Sequence, residues 1–154
     1  SRLTWGRDGK PMADSQAILA PFLGMLLLTA FVWAYMYTRR LTYIKANNIP
    51  PQDLATPEKA ATLLPEAVAL PANNLRNLLE LPVVFYALCL YLYVTASADG
   101  VQVAAAWAFV GLRTAHSIIH CTVNIVILRF LSYFAAALVL WFMLGRALLS
   151  AAGF

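Results

Sequence analysis

The sequence predicts an all-α integral membrane protein, a single domain folded as a bundle of four transmembrane helices. Three observations carry that reading. Of 154 residues, 62% are hydrophobic and only 12% are charged, whereas soluble domains hold about 45–50% apolar and about 25% charged residues. The mean hydropathy is +0.71. The apolar residues also gather in runs long enough, at about 1.5 Å of rise per residue, to cross a hydrocarbon core about 30 Å thick.

Residues 1–16 are polar, mixed in charge and without an apolar core of their own. They lack the basic, apolar, small-residue order of a signal peptide. Met12 reads as a natural start, which makes Ser1–Pro11 an upstream extension or a remnant of expression. The first span is expected over Ala17–Tyr37, which holds no charge. Trp33, Tyr35 and Tyr37 form an aromatic belt toward its end, and Arg39-Arg40 stop it.

The long connection, 38–72, holds Pro50-Pro51, Pro57, Pro65 and Pro71 with Asp53, Glu58 and Glu66. It reads as a water-exposed loop with one short helix after Thr56. Its Arg39, Arg40, Lys45 and Lys59 contrast with Ser97-Ala98-Asp99-Gly100, which has no basic residue. The positive-inside tendency therefore expects the long loop in the cytoplasm, below a bacterial inner membrane or an endomembrane. The second span is expected over Asn73–Thr95, with Pro82 producing a kink or a freed carbonyl near Leu78. From Val101 to Leu149 there is no proline, and one straight helix of that length would measure about 70 Å. Thr122-Val123-Asn124 is the polar interruption, so the third and fourth spans are expected at about 101–122 and 125–149.

Charge and cysteine usage exclude some functions. The formal charge of +4 comes from scattered basic residues, several inside apolar runs, which is no footprint for nucleic acid. Cys89 and Cys121 lie in apolar surroundings without metal-ligand spacing, and read as buried inert thiols.

The polar residues within the spans are the functional signal. At about 100° per residue, Asn73, Arg76, Asn77 and Glu80 share one stripe, with Arg76 and Glu80 one turn apart and able to pair. Arg113, His116, Ser117, His120 and Asn124 form a second stripe, and Arg129, Ser132 and Tyr133 a third. Four antiparallel spans bring these groups, with Arg39 and Arg40, to one end of the bundle. Ionisable groups cost roughly 2.5–3.5 kcal/mol each within a span. Read one at a time, the bland explanations are structural: an ion pair between helices, packing histidines, a core tyrosine. His116 and His120 at i, i+4 could hold a metal, but no cysteine or second carboxylate lies near in sequence, so no metal is expected. Taken together, three arginines, a glutamate, an asparagine and two histidines exceed what packing requires. They suit a small ligand bearing carboxylates and an amine, since guanidinium forks match carboxylates while Glu80 and Asn77 take an ammonium.

These motifs, Arg76-Asn77-x-x-Glu80, Arg113-x-x-His116 and Arg129-x-x-x-Tyr133, resemble those of the MAPEG family, membrane-associated proteins of eicosanoid and glutathione metabolism. The resemblance covers about Ala17–Leu149. It implies a homotrimer binding glutathione between neighbouring subunits. By position, Arg76, Asn77, Glu80 and His116 would grip the glutathione backbone, and Arg129 would face the sulfur and stabilise its thiolate. Arg113, His120 and Tyr133 would line the same site, and Arg39 or Arg40 matches the arginine ending the family's first helix. Two departures stand out: His120 where the eicosanoid enzymes often carry tyrosine, and Phe130 where they carry serine. The resemblance therefore implies glutathione binding, without eicosanoid specificity.

The function expected is a glutathione-dependent transferase or peroxidase acting on lipophilic electrophiles or lipid hydroperoxides that arrive from the surrounding lipids. A nearby cation lowers a thiol pKa from about 8.5 and raises its nucleophilic fraction. The alternative is a non-catalytic membrane protein whose polar pocket binds lipid headgroups or a partner subunit. A proton or ion pathway fits less well, because the polar residues stay in one leaflet.

Overall fold

A computed structural model describes residues 12–153, with side chains from residue 15. The expected extension Ser1–Pro11 lies outside the described residues. Every described element is helical: α1 (Met12–Ala17), α2 (Leu19–Ala46), a 3-10 turn (Pro51–Leu54), α3 (Pro57–Leu63), α4 (Glu66–Leu78), α5 (Leu81–Val94), α6 (Gly100–Cys121) and α7 (Val126–Ala151).

Helix α2 runs well past the Tyr37 boundary expected from sequence. Arginine and lysine end an apolar run but are good helix formers, so the helix continues beyond Arg39-Arg40. It stops at Asn47 and Asn48, the latter at φ 49°, a left-handed conformation that asparagine tolerates. The Ile49 N–H then returns to the Ile44 carbonyl at 3.1 Å, in the geometry of a Schellman cap. The short helix expected after Thr56 is α3, with Pro57 in its first turn and the Thr56 side chain accepting from the Lys59 N–H at 3.4 Å.

The second apolar segment differs most from its sequence reading. It starts at Glu66, upstream of Asn73, and Pro71 lies inside helix α4. It also breaks completely at Leu79-Glu80, where Glu80 leaves helical geometry at φ −99°, ψ −102°. Pro82 occupies the first turn of the new helix α5, a position that needs no N–H donor. The proline thus starts a helix where a kink within one was expected. Helices α6 and α7 form the most extensive helix pair, joined through Thr122–Ile125.

Buried Met25, Phe85, Phe109, Leu140 and Met143 make the core between α2, α5, α6 and α7, with Phe85 stacked on Phe109 at 4.5 Å. The outer surface is apolar as well: Leu23, Phe31, Val94, Ile118, Val126 and Leu148 are all more than half exposed. That inversion of a soluble surface suits a lipid surround. Among the described residues, Ser15–Ala46, Glu66–Val94 and Val126–Ala151 are long and apolar enough to cross a membrane. Helix α6 has the length, 22 residues, but its buried face carries Gln102, Arg113, His116, Ser117 and His120.

At the end where α6 begins, Asp99 caps that helix by accepting from the Gln102 N–H at 2.9 Å. Its other oxygen pairs with Arg146 near the end of α7 at 2.6 Å. One carboxylate therefore ties the hairpin shut. Asp99→Ala is expected to cost about 1–2 kcal/mol, chiefly through the lost cap. Thermal unfolding in detergent reads this, and an unchanged midpoint would remove Asp99 from the helix-pair closure.

Candidate functional site

Arg113, His116, Ser117 and His120 recur along the buried face of α6 because their spacings of three and four residues return to one side of a helix. All four are nearly or fully buried. Arg113 reaches across to α4, where its Nη2 donates to the Asn77 carbonyl at 3.1 Å. That acceptor exists because the chain breaks two residues later. In an unbroken helix the Leu81 N–H would take it; here the Glu80 N–H reaches it only at 3.4 Å. The guanidinium also lies over the Tyr133 ring, 5.5 Å from its centroid.

Next along the stripe, His116 Nδ1 is 2.9 Å from the Arg129 carbonyl. A carbonyl only accepts, so Nδ1 carries the hydrogen. The His116 ring is 5.9 Å from Tyr133 and 5.5 Å from His120. Four buried polar atoms of this cluster have no partner among the described residues: Arg113 Nε and Nη1, His116 Nε2 and His120 Nδ1. Unpartnered buried polar atoms are rare and each calls for an explanation, such as a functional role. Below them, Ser117 Oγ donates to Asn74 Oδ1 at 3.4 Å, and Asn74 Nδ2 donates to Cys121 Sγ at 3.5 Å.

Arg129, half-buried in the first turn of α7, donates from Nη1 to Asn124 Oδ1 at 2.7 Å. Asn124 Nδ2 donates in turn to Glu66 Oε1 at 3.1 Å. Glu66 was read from sequence as a loop residue. It is the first residue of α4, 58 positions from Asn124, and no local pattern in the sequence links the two.

Other expected site residues stand apart. Arg76 and Glu80 are exposed and do not pair, because the break at Leu79-Glu80 takes Glu80 off the shared stripe. Among the described residues Asp99–Arg146 is the ion pair that forms. Arg39 donates weakly to the Ala67 carbonyl at 3.5 Å, and Arg40 is half-buried. Asn77 contributes its backbone oxygen to Arg113, while its side chain turns back to the Asn73 carbonyl at 3.4 Å. Among the described residues no three His, Cys, Asp or Glu side chains gather as a metal site. Two cavities lie elsewhere in the described residues. One of about 300 Å³ lies at the opposite end, around Asp99, Gln102 and Arg146. Another, of about 340 Å³, lies between α2 and α4 beside Arg39, Tyr43 and Val68. Within one chain, then, the polar cluster is assembled and buried.

A family model, described as the MAPEG family, matches residues 18–149. No curated protein and no solved structure matches the chain significantly.

Arg113→Met keeps most of the side-chain volume and removes the donor to Asn77. It is expected to destabilise the fold by about 1–3 kcal/mol, the usual cost of leaving a buried acceptor unpaired. Denaturant or thermal unfolding in detergent checks this; a midpoint equal to wild type would show that the broken helix end needs no guanidinium.

Proposed function

The chain belongs to the MAPEG family, and from that premise we propose that it is a glutathione-dependent membrane transferase or peroxidase. On this reading α6 is a fourth span, three copies assemble, and glutathione binds between neighbouring subunits at the cytoplasmic end. The observation that carries it is the buried cluster of Arg113, His116 and His120, whose four unpartnered nitrogens lie beside the half-buried cation of Arg129. Desolvating polar atoms without a partner costs several kcal/mol on the order of a lost hydrogen bond each. A polar ligand that supplies the missing partners explains why a membrane helix retains them.

The roles follow from chemistry and position. Arg76 and Glu80 stand exposed on the single chain, which suits residues that meet a ligand against a neighbouring subunit. With Asn77 and His116 they grip the glutathione backbone, arginine to carboxylate and glutamate to ammonium. Arg113 and Tyr133 fix the floor of the site, with His120 and Arg40 at its margins. Arg129 faces the sulfur, and its charge favours thiolate over thiol. The thiolate attacks a lipophilic electrophile entering from the bilayer, forming a carbon–sulfur bond as the leaving group departs or the acceptor bond takes a proton. With a hydroperoxide, two glutathione molecules instead supply the two electrons, giving the disulfide, an alcohol and water.

The test is calorimetry of glutathione binding to the detergent-purified protein, with ultraviolet difference absorbance at the thiolate band. Binding with a thiolate signal at neutral pH is the expected result. Arg129→Ala should abolish that signal and lower turnover by at least about tenfold, the equivalent of 1.4 kcal/mol, while the oligomer stays intact. No binding at millimolar glutathione, together with co-purifying anionic lipid or a second protein, would overturn the enzyme in favour of a headgroup-binding or partner-binding membrane protein.

A further inference from the structure

Asn124 serves three elements at once. Its backbone N–H donates to the Ile119 carbonyl at 2.8 Å, closing the end of α6. Its φ of 48° is left-handed, a conformation open mainly to glycine and asparagine. Its side chain bridges Arg129 of α7 and Glu66 of α4, at 2.7 Å and 3.1 Å. Arginine can only donate, and an ionised carboxylate can only accept. One orientation of the amide satisfies both neighbours, with its oxygen toward Arg129 and its nitrogen toward Glu66. Glu66 thereby decides which way Asn124 points.

The arrangement also keeps the negative charge at a distance. A carboxylate in direct contact with Arg129 would neutralise the guanidinium, and charge-assisted pairs are the strong ones. With an amide between them, Glu66 orients the guanidinium through two hydrogen bonds without forming an ion pair with it. The cluster that reaches the backbone of Arg129 through His116, namely Arg113, His116, His120 and Tyr133, includes no carboxylate, and Glu80 at the end of α4 is exposed and makes no ion pair among the described residues. The positive charge of Arg129 therefore stays available to an anion. We infer that Asn124 and Glu66 are positioning residues that hold Arg129 oriented and un-neutralised toward the glutathione sulfur. This rests on the reading of Arg129 as the thiolate's partner.

Two variants separate positioning from simple structural support. Asn124→Gly keeps the left-handed turn and removes the amide. The double variant Asn124→Asp with Glu66→Gln keeps the net charge and both hydrogen bonds, but places the carboxylate directly against Arg129. The readout is the pH titration of the bound glutathione thiol, followed by thiolate absorbance, with unfolding midpoints measured alongside. In both variants the titration should move toward the free-thiol value of about 8.5, lowering the thiolate fraction at pH 7 by about threefold or more, and the double variant should remain as stable as wild type. A stable double variant that titrates like wild type would overturn the inference, since a merely structural bridge is preserved in it.

If the wild-type protein forms no glutathione thiolate, it is the enzyme reading that fails. Modification by phenylglyoxal, followed at Arg129 by mass spectrometry, then decides the positioning by itself. Faster modification in Asn124→Gly than in wild type supports a held guanidinium, and equal rates overturn it.

Discussion

Backbone carbonyls that a proline or a helix break leaves without a helical donor need another one, and arginine supplies it. Pro71 has no N–H to offer the Ala67 carbonyl four residues back, and Arg39 of α2 reaches that oxygen. The break ahead of Pro82 strands the Asn77 carbonyl, and Arg113 of α6 takes it. A cation at the end of α4 is also favourable to the helix dipole. The second apolar segment bends and breaks where α2 and α6 bring guanidinium groups to it, Arg39 at the exposed Ala67 carbonyl and Arg113 at the part-buried Asn77 carbonyl.

That constraint places the polar chemistry. Arg113 is committed through one nitrogen to the broken end of α4, which leaves Nε and Nη1 fixed in the interior beside His116 and Tyr133. The same stripe carries His116 to the backbone of α7 and so sets the height of Arg129 relative to α6. At the turn between those helices, Asn124 and Glu66 complete the connection back to α4. Helices α4, α6 and α7 are thus joined at one end by hydrogen bonds that use arginine, histidine, asparagine, carboxylate and carbonyl groups, with no direct ion pair there among the described residues.

The opposite end is built differently. Asp99 and Arg146 pair directly, and Gln102 donates from Nε2 to the Met143 carbonyl at 3.1 Å. A cavity of about 300 Å³ lies there, and Gln102 Oε1 and Arg146 Nε are left without a partner among the described residues. The polar cluster at the other end holds four such nitrogens on α6 alone, Arg113 Nε and Nη1, His116 Nε2 and His120 Nδ1, and His116 reaches the backbone of Arg129. The cavity of about 340 Å³ between α2 and α4, beside Arg39 and Val68, lies toward the end where Glu66 and Asn124 meet.

Composition alone determined that the chain is an integral membrane protein, because nothing but lipid or extensive partners accommodates so many exposed apolar residues. Helical periodicity determined the stripe Arg113, His116, Ser117, His120, since spacing on one helix is fixed by its geometry. The ordered motifs carried the family. Tertiary structure decided what crosses between elements: that Arg39 holds a carbonyl freed by Pro71 and Arg113 one freed by the helix break, that Glu80 leaves Arg76, and that Glu66 reaches Asn124. Each depends on a break, a cap or a contact between residues distant in the chain. Local propensity fixes the geometry along a helix, and only packing fixes which acceptor a long side chain finds at its end.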